Sequence, residues 1–534
     1  MRFALPLILC LAPTRFLLGA DTDVADGWPL TRPERTDFTE TSTSDDVKRF
    51  LDGLQSLGAP FTREVVGRST QGRDLELVVV SDRPTTPEAT RRAGKLVVYI
   101  QANIHGGEVE GKEAVQILLR EIAQGRHADW LARSVLLTIP IYNPDGNDAL
   151  GDARRLRSSQ NGPAIVGQRP NGQGLDLNRD CIKAESPEMR AVLEHVYGRW
   201  DPDVVLDLHT TNGTRHGFRL TYSPPLDPNT PEPVLGYTRD HLLPDVRAAL
   251  AAQGMQTFDY GNFAKDRWQT FGAEPRYVTN YAGTRGRIGV LSEATSYLPF
   301  RDRVDATHRF VREILDRLDP PTILARVRES DDRVIGWGLA PEQAPALGVR
   351  FEPTSRGRES IPLEDPEHRP ASSSAPPGPL KTVEAEIFDR FSATRTASFP
   401  GAYFIPSAYP ELIALLVRHG IRVERLEEPW EGTIDSFSID DLGEGKDLYQ
   451  GHRSKALAGS FERLEGIVPA GDYVVVTAQP LGVLAFALLE PESVDGAVAW
   501  GFLDRGLRVG GHYPVRKGVS RFVGVSTRVR EVAR

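Results

Sequence analysis

The sequence predicts an α/β fold in which helices cover both faces of a mixed, largely parallel sheet. Short apolar runs rich in β-branched residues, which are typical of buried strands, alternate with stretches whose apolar residues recur at helical spacing. The clearest pair is a strand at residues 97–104 followed by a helix at residues 110–122. Because alternating strands and helices favour a parallel sheet, several strands should end at one edge, which is where α/β proteins bind ligands.

The same alternation continues to about residue 318. A first helix is predicted at residues 45–57, with Ser44 as its N-cap. Residues 151–174 form a long loop rich in Arg, Asn and Gly, and loops of this length inside compact domains are usually functional or disordered. The other predicted strands are residues 75–81, 134–141, 204–208 and 287–292, and the other predicted helices are residues 186–200, 238–253 and 303–318.

The length of the chain and a shift in its composition predict more than one domain. A chain of 534 residues is long for a single domain, and the composition changes near Pro320. Residues 356–380 are rich in Pro, Ser and charged side chains, which predicts a flexible linker or a surface excursion. We therefore expect a first domain at residues 21–320 and a smaller α/β or β-rich unit at residues 321–534. This unit should contain a helix at residues 409–420 and strands at 421–426, 473–478 and 482–489.

The amino terminus resembles a secretory signal peptide. Met1 and Arg2 precede the apolar residues 3–12, and small residues end at Ala20. We predict a signal peptide at residues 1–20 and a secreted or periplasmic protein. Arg15 interrupts the pattern, so an uncleaved anchor or a different start site is the alternative.

The rest of the composition limits the classes of function. Outside the amino terminus no apolar run approaches the length of a membrane-spanning helix, so we expect no membrane span in the mature chain. Cleavage after Ala20 would leave Cys181 as the single cysteine and therefore no internal disulfide. The net charge of −9, without a basic run, argues against a nucleic-acid partner.

Four residues suited to metal binding or proton transfer follow predicted strands. His105 and Glu108 come after the strand at residues 97–104, and His209 and Glu293 each follow a later strand. Two histidines and one glutamate form the ligand set of a hydrolytic zinc site, which keeps one position open for water. The remaining carboxylate, Glu293, would be free of the metal. The pattern predicts one zinc ion (Zn²⁺) per chain.

Over roughly residues 41–318 the sequence resembles the zinc carboxypeptidase family, the carboxypeptidase A-like metallopeptidases. Several motifs occur in the family's order, and together they are specific. They are GRSTQGRDL from Gly67, HGGE from His105, NPDG from Asn143, DLNRD from Asp176, DLH from Asp207 and LSE from Leu291.

The resemblance implies that His105, Glu108 and His209 are the zinc ligands. It also implies that Asp176 accepts a hydrogen bond from the His105 ring, a role that fixes the orientation of a metal-binding histidine. The residues expected to grip a substrate carboxylate are Asn178 and Arg179, because the guanidinium group can bond both carboxylate oxygens.

The resemblance further implies that Glu293 is the general base and that Arg157 polarises the scissile carbonyl, with Arg154 and Arg155 as alternatives to Arg157. The best-known digestive members carry an arginine where this chain has Gly107, which leaves carboxylate binding more dependent on Arg179. The aromatic residue that caps the site in those members has two candidates here, Tyr277 and Tyr281.

These features predict a zinc metallopeptidase that removes C-terminal residues from peptides. The first alternative is a zinc-dependent deacylase of N-acyl amino acids, because related enzymes share the His-x-x-Glu, DLNR and late Glu motifs. The second is a non-catalytic protein that binds cell-wall material or polysaccharide. The long loop at residues 151–174 favours a peptide over an acyl-amino-acid substrate, and the complete ligand set beside Glu293 argues against a binding protein.

Overall fold

The structure is a computed structural model, and it describes residues 24–211, 213–365, 367–368, 370–522, 524 and 526–528. The predicted signal peptide, residues 1–20, lies outside the described residues. Among the described residues, no helix combines the length and the apolar character needed to span a membrane.

A mixed eight-stranded sheet forms the centre of the molecule, as the sequence predicted. Its four middle strands are parallel, and antiparallel strands extend it on both sides. The strand order is Thr257–Asp259, Leu220–Ser223, Ile288–Thr295, Val204–Thr211, Leu96–Ala102, Ser134–Ile139, Asp74–Val80 and Phe61–Arg68.

Apolar cores cover both faces of this sheet. Successive residues of Leu96–Ala102 point into different cores, since Val98 and Ile100 belong to one and Val97 and Tyr99 to the other. The core that contains Val98 and Ile100, called the first core, also contains residues of the helices Glu110–Ala123 and Phe300–Arg317, including Leu118 and Phe310. Every residue of the Leu96–Ala102 strand is buried, which explains its nearly continuous apolar sequence.

The second core continues into the C-terminal part of the chain. It joins Tyr99 and Leu137 of the central sheet to Leu412 and Leu484, which lie far beyond residue 320. Residues 321–534 therefore pack directly against the domain that contains the central sheet. The division near residue 320 remains a prediction.

The helices match the predicted pattern, with shifted ends. The first long helix, Ser44–Ser56, is capped by Thr43 and not by Ser44, because the Thr43 hydroxyl accepts from the Asp46 backbone N–H and Asp46 reciprocates. The α-helices are Arg32–Arg35, Ser44–Ser56, Pro87–Arg92, Glu110–Ala123, Ala128–Arg133, Pro144–Asp148, Ala153–Leu156, Pro187–Val192, Glu232–Tyr237, Leu243–Ala252, Val278–Thr284, Phe300–Arg317, Pro320–Leu339, Pro410–Arg418 and Gly482–Leu489, with π-helical turns at Leu193–Tyr197 and Thr238–Leu242.

The C-terminal part is rich in β-structure. A seven-stranded sheet has the order Lys455–Val468, Trp430–Glu444, Arg516–Gly518, Ala402–Ile405, Tyr473–Val476, Glu424–Leu426 and Ser526–Arg528. A four-stranded sheet has the order Asn262–Ala264, Arg267–Gln269, Leu380–Phe388 and Arg358–Glu364, so it combines strands from both sides of residue 320. Three two-stranded pairs complete the list: Val24–Ala25 with Trp28–Pro29, Gly151–Asp152 with Ile165–Val166, and Ala346–Thr354 with Arg390–Ser398.

One sequence prediction in this part was wrong. Residues 482–489 form the helix Gly482–Leu489 and not a strand. All eight residues are buried and apolar, so the segment has no periodicity that would separate a buried helix from a buried strand. Within the predicted linker, Arg358–Glu364 is a strand paired with Leu380–Phe388. Its alternating residues Ile361 and Leu363 are buried in a small apolar core, and this packing outweighs the polar composition around them.

Candidate active site

Three neighbouring parallel strands of the central sheet position the candidate site. His209 lies on Val204–Thr211 and Glu293 on Ile288–Thr295, and the strand register places these two residues directly beside each other. His105 follows Leu96–Ala102, the neighbour of Val204–Thr211 on its other side. The strands Val204–Thr211 and Ile288–Thr295 extend further than predicted. His209 and Glu293 therefore lie near the ends of these strands and not after them.

His105, Glu108 and His209 converge in space. All three are buried, and one potential ligand atom from each lies within 4.8 Å of the others. The Nδ1 atom of His105 is 3.1 Å from Glu108 Oε1, and the Nδ1 atom of His209 is 3.0 Å from Glu108 Oε2. In the described part of the chain, no other set of three His, Cys, Asp or Glu residues meets this spacing.

A carboxylate holds the outer nitrogen of each histidine. His105 Nε2–H donates to Asp176 Oδ1 at 2.9 Å, and His209 Nε2–H donates to Asp207 Oδ2 at 2.7 Å. Each Nδ1 atom is then left with a lone pair that faces Glu108. Two lone pairs and a carboxylate repel one another unless a cation lies among them. Two imidazole nitrogens and a carboxylate are ligands that zinc commonly takes in proteins. The residues present therefore fit a zinc ion.

The charges around the site support the same conclusion. Burial by itself lowers the pKa of His209, but the carboxylates of Asp207 and Glu108 outweigh it and raise that pKa well above its usual range. Burial likewise opposes ionisation of Asp176, yet the His105 ring, Arg169 and Arg179 lower its pKa. The carboxylates of Asp207, Glu108 and Asp176 thus favour positive charge at the two imidazole rings.

Asp207 and the polar residues behind it were missed by the sequence analysis. Gln101 Nε2 donates to Asp207 Oδ1 at 3.1 Å, and the Tyr99 hydroxyl donates to Gln101 Oε1 at 3.1 Å. One observation could have identified Asp207, because residues two apart on a strand share a face, and Asp207 is two residues before His209.

The predicted carbonyl-polarising residue, Arg157, lies behind Glu108. Its guanidinium donates to Glu108 Oε1 at 3.0 Å and to the Thr210 carbonyl at 3.0 Å, and it does not line the cavity. The stem of Arg157 lies over Gly107, where an added Cβ would be 3.1 Å from Arg157 Cγ and 2.8 Å from the Gly167 carbonyl oxygen. Any other side chain at position 107 would force these atoms apart.

Arg169, which the sequence analysis did not single out, lies on the cavity wall. Arg169 Nη1 is 3.2 Å from Glu108 Oε1, and its Nε and Nη2 atoms donate to Asp176 Oδ2 at 3.0 and 2.8 Å. Its side chain is 41% exposed, which leaves part of it open to a ligand. Its position seven residues before Asp176, in the predicted functional loop, was the available sequence clue.

The predicted substrate-gripping residues line the same cavity. Asn178 Oδ1 accepts from the Val278 backbone N–H at 3.0 Å, which fixes the amide. Arg179 Nη1 donates to the Asn178 carbonyl at 2.7 Å, and the guanidinium carbon lies 4.5 Å from the centre of the Tyr277 ring. Of the two predicted capping tyrosines, Tyr277 lines the cavity. Tyr281 is buried in the core, where its hydroxyl is 2.7 Å from His419 Nδ1.

Glu293 lines the same cavity as Arg169 and Arg179. Partial burial and the nearby Glu108 carboxylate raise the pKa of Glu293 to about 8, while His209 and Arg157 oppose the shift. A carboxyl group with this pKa exchanges protons readily near neutral pH, as general acid–base chemistry requires.

A convergent His-Glu-His set beside a separate carboxylate, at the edge of a mixed α/β sheet, is the arrangement expected of a metal-dependent hydrolase. A family model described as zinc carboxypeptidase matches residues 47–214, which include all three candidate ligands. Over residues 47–214 the chain is therefore similar to the zinc carboxypeptidase family.

Known proteins resemble this chain to different extents. Carboxypeptidase 2 of Trichophyton tonsurans is 25% identical over 480 residues, covering 84% of this chain and 81% of the relative. Carboxypeptidase Z of Mus musculus is 35% identical over 121 residues, covering 22% of this chain and 17% of the relative. Among solved structures, a Pseudomonas aeruginosa metallo-carboxypeptidase in complex with (2-guanidinoethylmercapto)succinic acid is 18% identical, with a TM-score of 0.39, covering 54% of this chain and 70% of that chain.

Proposed function

We propose that this protein is a zinc-dependent metallocarboxypeptidase that hydrolyses the C-terminal peptide bond of peptides. The observation that carries the proposal is the arrangement around one cavity, where His105, Glu108 and His209 lie together with Glu293 and Arg179. Carboxypeptidases are also the relatives that match most of the chain's length.

In this proposal one zinc ion per chain is held by His105 Nδ1, the Glu108 carboxylate and His209 Nδ1. When bound, the ion supplies positive charge that makes a nearby water molecule easier to deprotonate. Asp176 and Asp207 keep the two imidazole rings in the tautomer and orientation that binding requires.

The chain's own residues carry the proton and the developing charge. Glu293 accepts the proton of the attacking water and later donates it to the leaving nitrogen. Arg169, on the cavity wall, is placed to stabilise negative charge that develops on the carbonyl oxygen. We assign Arg157 a different role from the predicted one, which is to hold the Glu108 carboxylate in place from behind.

Substrate position depends on Arg179. Its guanidinium group can form a paired hydrogen bond with the C-terminal carboxylate of a peptide, and stacking on Tyr277 limits its movement. Asn178 adds an amide at the same wall of the cavity. A grip of this kind selects the terminal residue of a chain and rejects internal bonds.

The proposal is tested with the purified full-length protein, first depleted of metal and then supplied with zinc. We expect one zinc ion per chain and release of C-terminal residues from free-acid peptides only in the zinc-loaded form. Absence of stoichiometric zinc binding, or equal hydrolysis by the metal-free form, would refute it. N-acyl amino acids assayed in parallel test the deacylase alternative, which no observation at the site favours.

We also propose that the protein is secreted or periplasmic, on the basis of the predicted signal peptide at residues 1–20. Determination of the amino-terminal residue of the exported protein tests this proposal. A mature chain that starts near residue 21 is expected, and a cell-retained chain that starts at Met1 would contradict it.

A further inference from the structure

A long hairpin of the C-terminal part reaches the candidate active site. Its strands, Trp430–Glu444 and Lys455–Val468, pair along their whole length, and residues 445–454 form the hairpin tip. Tyr449 and His452 exchange backbone hydrogen bonds of 2.7 and 3.0 Å, so the tip closes with a two-residue turn. The tip lies against residues 176–185, which we call the gripping segment because they contain Asn178 and Arg179.

The central residues of this turn have an unusual conformation for their sequence. Gln450 has φ 51° and Gly451 has φ 84°, so both are left-handed. Turns of this kind favour Asn-Gly, and a long side chain at positive φ is uncommon. Such a residue indicates that something outside the turn holds it in place.

The side chain of Gln450 supplies that contact. Gln450 Oε1 accepts a hydrogen bond from the backbone N–H of Asp176 at 2.8 Å. Asp176 in turn accepts from His105 Nε2–H at 2.9 Å. A chain of two hydrogen bonds therefore connects the C-terminal hairpin to a candidate metal ligand.

Two further contacts place the tip against two segments that contribute residues to the cavity wall. His452 Nε2 lies 2.9 Å from Glu185 Oε2, at the end of the gripping segment. The Tyr449 ring lies 5.4 Å from the guanidinium carbon of Arg276, the residue before Tyr277. The tip thus contacts the segment that carries Arg179 and the segment that carries the ring beneath Arg179.

We propose that the tip of this hairpin is an integral part of the active site, and that Gln450 is a positioning residue that holds Asp176, and through it His105, in the metal-binding geometry. This inference rests on the proposed zinc site. It also assigns a function to residues 321–534, for which the motifs of the sequence indicated none.

The test compares two substitutions at position 450 in the full-length protein. Gln450→Asn keeps the turn, because Asn-Gly is the preferred pair, but its side chain is one methylene too short to reach Asp176. Gln450→Glu keeps an acceptor oxygen at the original reach. Leu448→Ala serves as the control, since Leu448 is in the same tip and is 68% exposed.

Zinc affinity, measured by competition with a chromophoric chelator, is the main readout. Loss of one hydrogen bond that orients Asp176 should weaken zinc binding by Gln450→Asn about 2- to 10-fold. Gln450→Glu and Leu448→Ala should stay closer to the wild type. Urea unfolding of the metal-free proteins should show Gln450→Asn to be at least as stable as the wild type, which would separate positioning from general loss of structure.

Several results would overturn the inference. Wild-type zinc affinity in Gln450→Asn would show that Gln450 is only a turn residue, and an equal loss in Leu448→Ala would show a nonspecific effect of the loop. Failure of the wild type itself to bind zinc would refute the proposed function as well, so the two failures can be told apart.

Discussion

Replacing Arg179 by alanine should weaken hydrolysis of peptides with a free C-terminal carboxylate far more than that of the matching amides. The guanidinium lines the cavity and is held by the Asn178 carbonyl and the Tyr277 ring, so little entropy is lost when it binds an anion. A charge-assisted hydrogen bond contributes about 1.5–3 kcal/mol, so kcat/KM on free-acid peptides should fall roughly 10- to 150-fold.

The assay compares pairs of peptides that differ only in a C-terminal acid or amide. Arg179→Lys should recover part of the activity, because an ammonium group replaces the charge but cannot form the paired hydrogen bond. Arg169→Ala is the matched comparison, since this arginine lies on the same cavity but contacts Glu108 and Asp176, and its loss should affect both members of each pair. Equal losses on acids and amides in Arg179→Ala would show that Arg179 is structural and would refute the exopeptidase assignment.

Three other predictions follow from the site and the core. Glu293→Gln should bind zinc normally but lower kcat by at least about 100-fold, because the proton acceptor is lost, and near-normal turnover would identify another base. Peptides ending in Phe or Leu should exceed those ending in Lys or Arg by at least about 10-fold in kcat/KM. The acidic residues among those described in the cavity lining are Glu108 and Glu293, and both have other proposed roles, so neither is free to pair with a basic side chain. A preference for basic C-terminal residues would contradict this prediction. Burial lowers the pKa of His419 to about 3, so the unfolded state binds more protons than the folded state below the usual pKa of about 6.5. Acidification from pH 6.5 should therefore reduce the free energy of unfolding of the wild type more steeply than that of His419→Gln, and parallel urea-unfolding profiles would refute the assignment.

The sequence alone was enough to predict the central sheet and the residues proposed to bind the metal. The strand Leu96–Ala102 and the helix Glu110–Ala123 have strong local periodicity, and local periodicity reports which face of an element is buried. His105 and Glu108 lie between these two elements, so their proximity is determined within a few residues. His209 and Glu293 required only the further expectation that parallel strands end at one edge.

Tertiary structure alone decided which of several chemically similar residues reach the cavity. Arg157 and Arg169 belong to the same long loop, yet one packs behind Glu108 and the other lines the cavity. Tyr277 and Tyr281 are one helical turn apart, and the core buries the second. Gln450 is 274 residues from its partner Asp176, and no local pattern records a hydrogen bond across such a distance. Contacts of this kind depend on how separate elements pack, because periodicity describes the environment of a side chain and not the identity of its partner.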